Sequence, residues 1–243
     1  MKIGLMMLGM VALGSVWGCA VDATGEPELS KEQAACKKEF SVTSPDFADG
    51  AALPSTSTCE GAPFGSGVSP ELNWDNAPKG TKSFAIVFVD TTIRDAGLPN
   101  FAYHWAIWNI PKNTTTLPAG IPGLDAANPD PVPLPKSLKG ASQTQARGVP
   151  RFFGPCPSWP VAQAEICDLE PIPARSNDHY AFIVYALPDK KIEVPAYDTA
   201  VNPNYVDTLN AYFAGLAIGS TQITTTADAV PTTSPVPCPP PAP

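Results

Sequence analysis

The sequence predicts a mainly β fold: two packed antiparallel sheets, one short helix near the C-terminus, and long loops. Three observations predict it. The runs Ser83–Asp90 (SFAIVFVD), Tyr103–Ile110 (YHWAIWNI) and His179–Leu187 (HYAFIVYAL) have strand length and are rich in β-branched and aromatic residues. Thirty prolines interrupt the rest of the chain and deny it long regular ladders. Helical periodicity is clearest in Asn204–Ala214, where Tyr205, Leu209, Tyr212 and Phe213 share a face and Asn202 or Asn204 is placed to cap.

In chain order, Met1–Gly18 reads as an export signal, with Lys2 ahead of an apolar stretch and Val16-Trp17-Gly18-Cys19 as the cleavage region. A small residue followed by Cys resembles a bacterial lipobox. That makes Cys19 the expected lipidated first residue and the membrane a partner through a lipid anchor. Ala20 after it favours the outer over the inner membrane, so the expected location is the cell envelope. Residues 19–39 form a polar tether and 40–225 the folded domain. Within it, Ser44–Gly61 reads as a short strand between turns, and Thr91–Asn100 as a polar turn. Lys112–Ala141 is a proline-rich loop and Ser158–Asp178 an excursion. Gly215–Ile223 returns as a strand. Residues 226–243 are a Pro/Thr-rich tail.

The first long run is apolar on both faces, so it is expected to be buried on both sides. It ends on Asp90, and the second run opens with His104 beside it. Paired as neighbours, the two strands bring this carboxylate and imidazole to one end of a sheet.

Export permits disulfides. With Cys19 set aside, Cys156 and Cys167 flank the excursion and form the expected pair. Cys36 and Cys238 are placed to staple the two ends, leaving Cys59 as a buried thiol; Cys36–Cys59 is the competing pairing.

The formal charge is −8, and −9 once Lys2 is removed with the leader. Such a surface does not seek nucleic acid by charge. No P-loop, dinucleotide fingerprint or G-x-S-x-G elbow is present, and two histidines in separate strands make no zinc set. No cofactor, metal or catalytic residue is expected.

Seven pieces then occur in order: DFADG, LPSTSTCEG, SPELNW, PKGTKSFAIVFVD, HWAIWNIP, FFGPCP and YAFIVYALP. Together, over about Phe40 to Ile223, they resemble the phosphatidylethanolamine-binding protein family, in its bacterial branch similar to Raf kinase inhibitor proteins. The resemblance implies a small pocket at one end of the β fold for a small anionic ligand or a phospholipid headgroup. It implies ligand-binding roles for Asp90, His104, the Gly154-Pro155 loop and the Asp178-His179-Tyr180 segment. Asp90 would orient His104, and Phe152 would line the rim. Two departures stand out. The family's Asp-Pro-Asp-x-Pro is Asp90-Thr91-Thr92 here, and its His-Arg-Tyr is Asp178-His179-Tyr180. A one-residue offset turns His179 to the opposite strand face. A second carboxylate beside Asp90 disfavours phosphate and favours cationic or zwitterionic groups. The expected function is non-catalytic ligand binding. The alternatives are a protein-interaction module of the kinase- or protease-inhibitor kind, and a hydrolase using His104 as base with Ser142 or Ser158.

Overall fold

The computed structural model describes residues 38–124, 132–167 and 174–231. The leader, Cys19, Cys36 and Cys238 lie outside the described residues. A small antiparallel sheet orders β1 (Ser41–Thr43), β2 (Leu72–Asp75) and β5 (Thr116–Leu117) as β1-β2-β5. The main antiparallel sheet contains β3 (Ser83–Asp90), β4 (Tyr103–Pro111), β6 (Ser142–Gln145), β7 (Asp178–Leu187) and β8 (Gly219–Ala227). Its order is β6-β4-β3-β7-β8.

Strand β3 sits at the centre and is buried along its whole length. Side-chain alternation divides its residues between two cores. Phe84, Ile86 and Phe88 join Trp105, Ile107, Phe182 and Val184 against Val42, Leu72, Trp74 and Leu117 of the small sheet. Ala85, Val87 and Val89 join Ala106, Trp108, Ala181 and Leu187 under helix α4 (Tyr205–Leu216). One face is therefore sheet-on-sheet and the other helix-on-sheet. Helix α4 starts where Asn204 accepts from the N–H groups of Val206 and Asp207, and it buries Val206, Leu209 and Phe213.

Three connections differ from expectation. Thr91–Asn100 is not a plain turn but carries α1 (Thr91–Asp95) and the start of α2 (Pro99–Ala102). The Asp90 carboxylate accepts from the Ile93 N–H at 2.8 Å and so caps α1. The Ser158–Asp178 excursion contains α3 (Trp159–Ile166). Ser44–Gly61 forms no strand; it is a series of turns with a single bridge from Ala52 to Thr226.

The disulfide expectation is corrected. Cys59 pairs with Cys156, 97 residues away, so neither the Cys156–Cys167 pair nor a free Cys59 exists. Cys167 is itself disulfide-bonded. Proximity in sequence misled because the 53–61 and 154–157 loops meet only in the folded domain. There the Cys59 N–H donates to the Pro155 carbonyl at 3.1 Å.

Candidate functional site

Asp90 and Tyr180 are cross-strand partners on the face that carries Phe88 and Phe182. Asp178, two residues before Tyr180, shares that face and is buried. His104 reaches it by a different route. Phe88 pairs with Trp105, yet the next residue, Val89, pairs with Tyr103. His104 is thus the extra residue of a β-bulge. Simple alternation would turn His104 away from the side of Trp105. The bulge instead sets its ring beside Phe88, Phe153 and Tyr180, with centroids 5.4, 5.5 and 5.6 Å away.

The electrostatics follow from burial. The Asp90 carboxyl is pushed up to about 6, mainly by desolvation and further by the charge of Asp178. Hydrogen bonds from the Ile93 backbone and the Tyr180 hydroxyl oppose that rise. Burial, then the charges of Asp90 and Asp178, push the Tyr180 phenol upward, so it stays protonated as a donor. Burial lowers His104 to about 4, against a hydrogen bond to the Phe153 backbone. At neutral pH the imidazole is therefore uncharged and Asp90 largely ionised. The His104 Nδ1 is buried and has no hydrogen-bond partner.

The sequence-predicted residues divide. Asp90, Asp178 and Tyr180 share one face at the end of the sheet, and the His104 ring lies against that of Tyr180. No hydrogen bond joins Asp90 to His104: the Asp90 carboxylate accepts from the Ile93 N–H, and Nδ1 of His104 is unpartnered. His179 is not at the site. Its side chain is exposed on the other face, as unshifted alternation requires. Its backbone ties α1 to β7: the N–H donates to Thr92 Oγ1 at 2.8 Å, and the carbonyl accepts from Thr91 Oγ1 at 2.9 Å. The Thr91-Thr92 pair that departs from the family pattern thus has a structural task.

Gly154 and Pro155 act as a clamp. The Gly154 N–H donates to the Ser66 carbonyl at 3.1 Å, and a Cβ there would collide with the carbonyl oxygens of Ser57 and Ser66. Their backbone donor is therefore not open to a ligand. What the clamp fixes is Phe153. Phe152 is core, stacked on Phe88 and edge-on to Trp105, so the expected rim role belongs to Phe153 instead. Phe153 in turn meets the half-exposed Phe64 edge-on, and the Arg151 guanidinium lies beside it at Gly65. The alternation of Arg151, Phe152 and Phe153 carried this signal in the sequence. The Ser158 hydroxyl donates to the Ser176 carbonyl, and Ser142 lies at the Trp108 end of β6; neither is set beside His104. Two surface depressions, along residues 111–118 and 134–141, lie at the Pro111 end of β4, away from His104. Among the described residues no cluster of His, Cys, Asp and Glu could hold a metal ion.

This arrangement, a bulged histidine and a strand-end aspartate, stands at one end of a two-sheet scaffold. The profile described as phosphatidylethanolamine-binding protein matches residues 43–227, and the chain belongs to that family. Among its relatives is the UPF0098 protein YbcL of Escherichia coli (strain K12), 32% identical over 174 residues, covering 71% of this chain and 80% of that one. UPF0098 protein YbhB of the same organism is 31% identical over 155 residues, covering 63% and 81%. LppC of Mycobacterium tuberculosis (strain ATCC 25618 / H37Rv), whose name marks it as a candidate lipoprotein, is 28% identical over 189 residues, covering 74% and 75%. The crystal structure of E. coli YbcL, titled a new member of the mammalian PEBP family, superposes with a TM-score of 0.53 at 27% identity. It covers 79% of this chain and 99% of that chain.

Proposed function

We propose that the chain is an exported, lipid-anchored, non-catalytic protein that binds a small ligand of the phospholipid-headgroup kind between Asp90, His104, Asp178 and Tyr180. The observation that carries this reading is the buried, unpartnered Nδ1 of His104, aimed among aromatic rings by a β-bulge. A buried polar atom without a partner costs about 1–3 kcal/mol, and a bound ligand relieves that cost. The family and its name support the ligand class. The disulfide fits an oxidising compartment, and the Met1–Cys19 leader and the likeness to LppC support the anchor. Among the described residues no helix is long and apolar enough to cross a membrane. Calorimetric titration with phosphoethanolamine and a short-chain phospholipid tests the site. Saturable binding that disappears in His104→Leu is expected, and absence of heat at millimolar ligand refutes it. Cys19→Ser is expected to release the protein from the membrane fraction.

A second reading, protein interaction through the Ser158–Asp178 excursion, is favoured by the exposure of Trp159 and Ile166 on α3. Replacing both with Ser would abolish partner capture and leave ligand binding intact.

A further inference from the structure

We infer that Cys167 is joined to Cys238 by a second intramolecular disulfide, which ties the C-terminal end of the chain to helix α3. Cys167 is disulfide-bonded, and the pairing of Cys59 with Cys156 leaves Cys19, Cys36 and Cys238 as the candidate partners. Position in the fold decides among them.

Helix α3 starts beside the end of β8. The Ser158 N–H donates to the Ala229 carbonyl at 3.1 Å, two residues beyond the strand. The Ser176 N–H donates to the Ser158 hydroxyl at 2.7 Å, and the Arg175 guanidinium to the Asp228 carbonyl at 2.8 Å. These bonds fix both limbs of the excursion against residues 228–229. Cys167 directly follows α3, whose eight residues rise about 12 Å. Cys238 follows Ala229 by nine residues, a reach of up to about 30 Å, so it can meet Cys167 with slack.

Phe40, four residues after Cys36, lies at the other end of the sheet. Ser41 opens β1 opposite Asp75, and the Phe40 ring is 6.3 Å from that of Phe84. Phe84 is level with Ala186 and Gly219, whereas Asp178 and Ala227 mark the α3 end. From Gly219 to Ala227 the strand spans about 26 Å. The four residues from Cys36 to Phe40 cover at most about 14 Å of that distance. Nor does α3 run back along the sheet: its buried residues Val161, Ala162 and Ala164 belong to neither core of the main sheet. Cys19 is set aside because its sulfur carries the lipid in the reading above, and the inference rests on that reading at this step.

The bond forms by exchange with an external disulfide of the oxidising compartment. The Cys167 and Cys238 thiols give up two protons and two electrons as their sulfurs join, and the external disulfide leaves as two thiols. The consequence is local. Cys156 and Cys167 bracket α3 with covalent bonds to two different partners, so a short helix that joins neither core is held at both ends. Cys36 is left as the odd cysteine.

The test maps disulfides by mass spectrometry, without reduction, in the detergent-extracted parent chain and in Cys19→Ser. Trypsin and glutamyl endopeptidase are used together, because cleavage after Glu165 separates Cys156 from Cys167. A Cys167–Cys238 peptide is expected in both chains. In Cys238→Ser, Cys167 is expected to become open to alkylation while Cys59–Cys156 persists, and native-state cleavage after Glu165 to speed about tenfold. A Cys36–Cys167 peptide, or a Cys167 thiol that alkylates in the parent, would overturn the pairing and leave the anchor standing. A Cys19–Cys167 peptide would overturn both. An unchanged cleavage rate in Cys238→Ser would overturn the hold on α3.

Discussion

Replacing Asp90 with Asn removes a charge that the fold holds at a cost. The carboxyl rises from an ordinary value of 3.8 to about 6 on folding. That rise corresponds to about 3 kcal/mol of opposition to the folded state once the group is ionised. The sign is that of a raised acid: its contribution to stability is complete below about 3.8 and is lost as pH climbs through about 6. His104 works the other way. Its value falls from 6.5 to about 4 on folding, so its contribution is intact above 6.5 and is lost as pH falls toward 4. The two trends overlap and nearly cancel, and the parent protein's stability is expected to be almost flat across that window from these groups. The groups acting on Asp90 are Asp178 and Tyr180 on β7 and the Ile93 and Thr92 backbone of α1. Asn retains an acceptor for the Ile93 cap, so comparing parent with Asp90→Asn isolates the charge. Urea unfolding at pH 4.5 and 7.5 is the assay. The variant is expected to gain on the parent by about 1–3 kcal/mol between those two pH values, and to lose ligand binding. A difference independent of pH, or one favouring the parent at pH 7.5, would refute the buried-charge reasoning.

Two further predictions address the clamp. Cys59→Ala with Cys156→Ala opens a link spanning 97 residues and is expected to cost about 4–5 kcal/mol in the chain-entropy model, read as a lower urea midpoint. Unchanged stability would contradict the pairing. Gly154→Ala places a Cβ against two carbonyl oxygens and is expected to cost about 1–3 kcal/mol, with the Phe153 and His104 ring signals displaced together. A third prediction concerns the second bulge in β4. Asn109, at φ 58°, exchanges hydrogen bonds with both backbone groups of Ile192, so Asn109→Ala is expected to cost about 2 kcal/mol or more, whereas Asn109→Asp should recover part of it.

Much of this fold was legible because burial writes itself into composition. Strands β3, β4 and β7 are continuous apolar runs, and α4 repeats its apolar residues at helical spacing beneath an Asn cap. That β3 and β4 are neighbours, with Asp90 and His104 near the same end, followed from strand order; the face His104 takes did not. The exile of His179 followed from the one-residue offset against Tyr180. What was hidden depends on contacts distant in sequence. The bulge at His104 has no Gly or Pro to mark it; it arises from how Val89 and Tyr103 re-register. The Cys59–Cys156 bond joins loops that only the finished sandwich brings together. Phe152 and Phe153 are chemically identical, and their opposite fates are set by which one faces Trp105. Asp90's true partners, Tyr180 and Ile93, displaced the expected one because a strand-end carboxylate also serves as a helix cap.

The most direct test of the central claim is the behaviour of the two histidines in one sample. The Cys19→Ser chain, labelled for its imidazole rings, would be titrated with phosphoethanolamine at pH 7.5. The His104 ring signals are expected to shift saturably while those of His179, exposed on the far face, stay in place. A static His104, or a response confined to His179, would contradict a ligand site built on the β4 bulge.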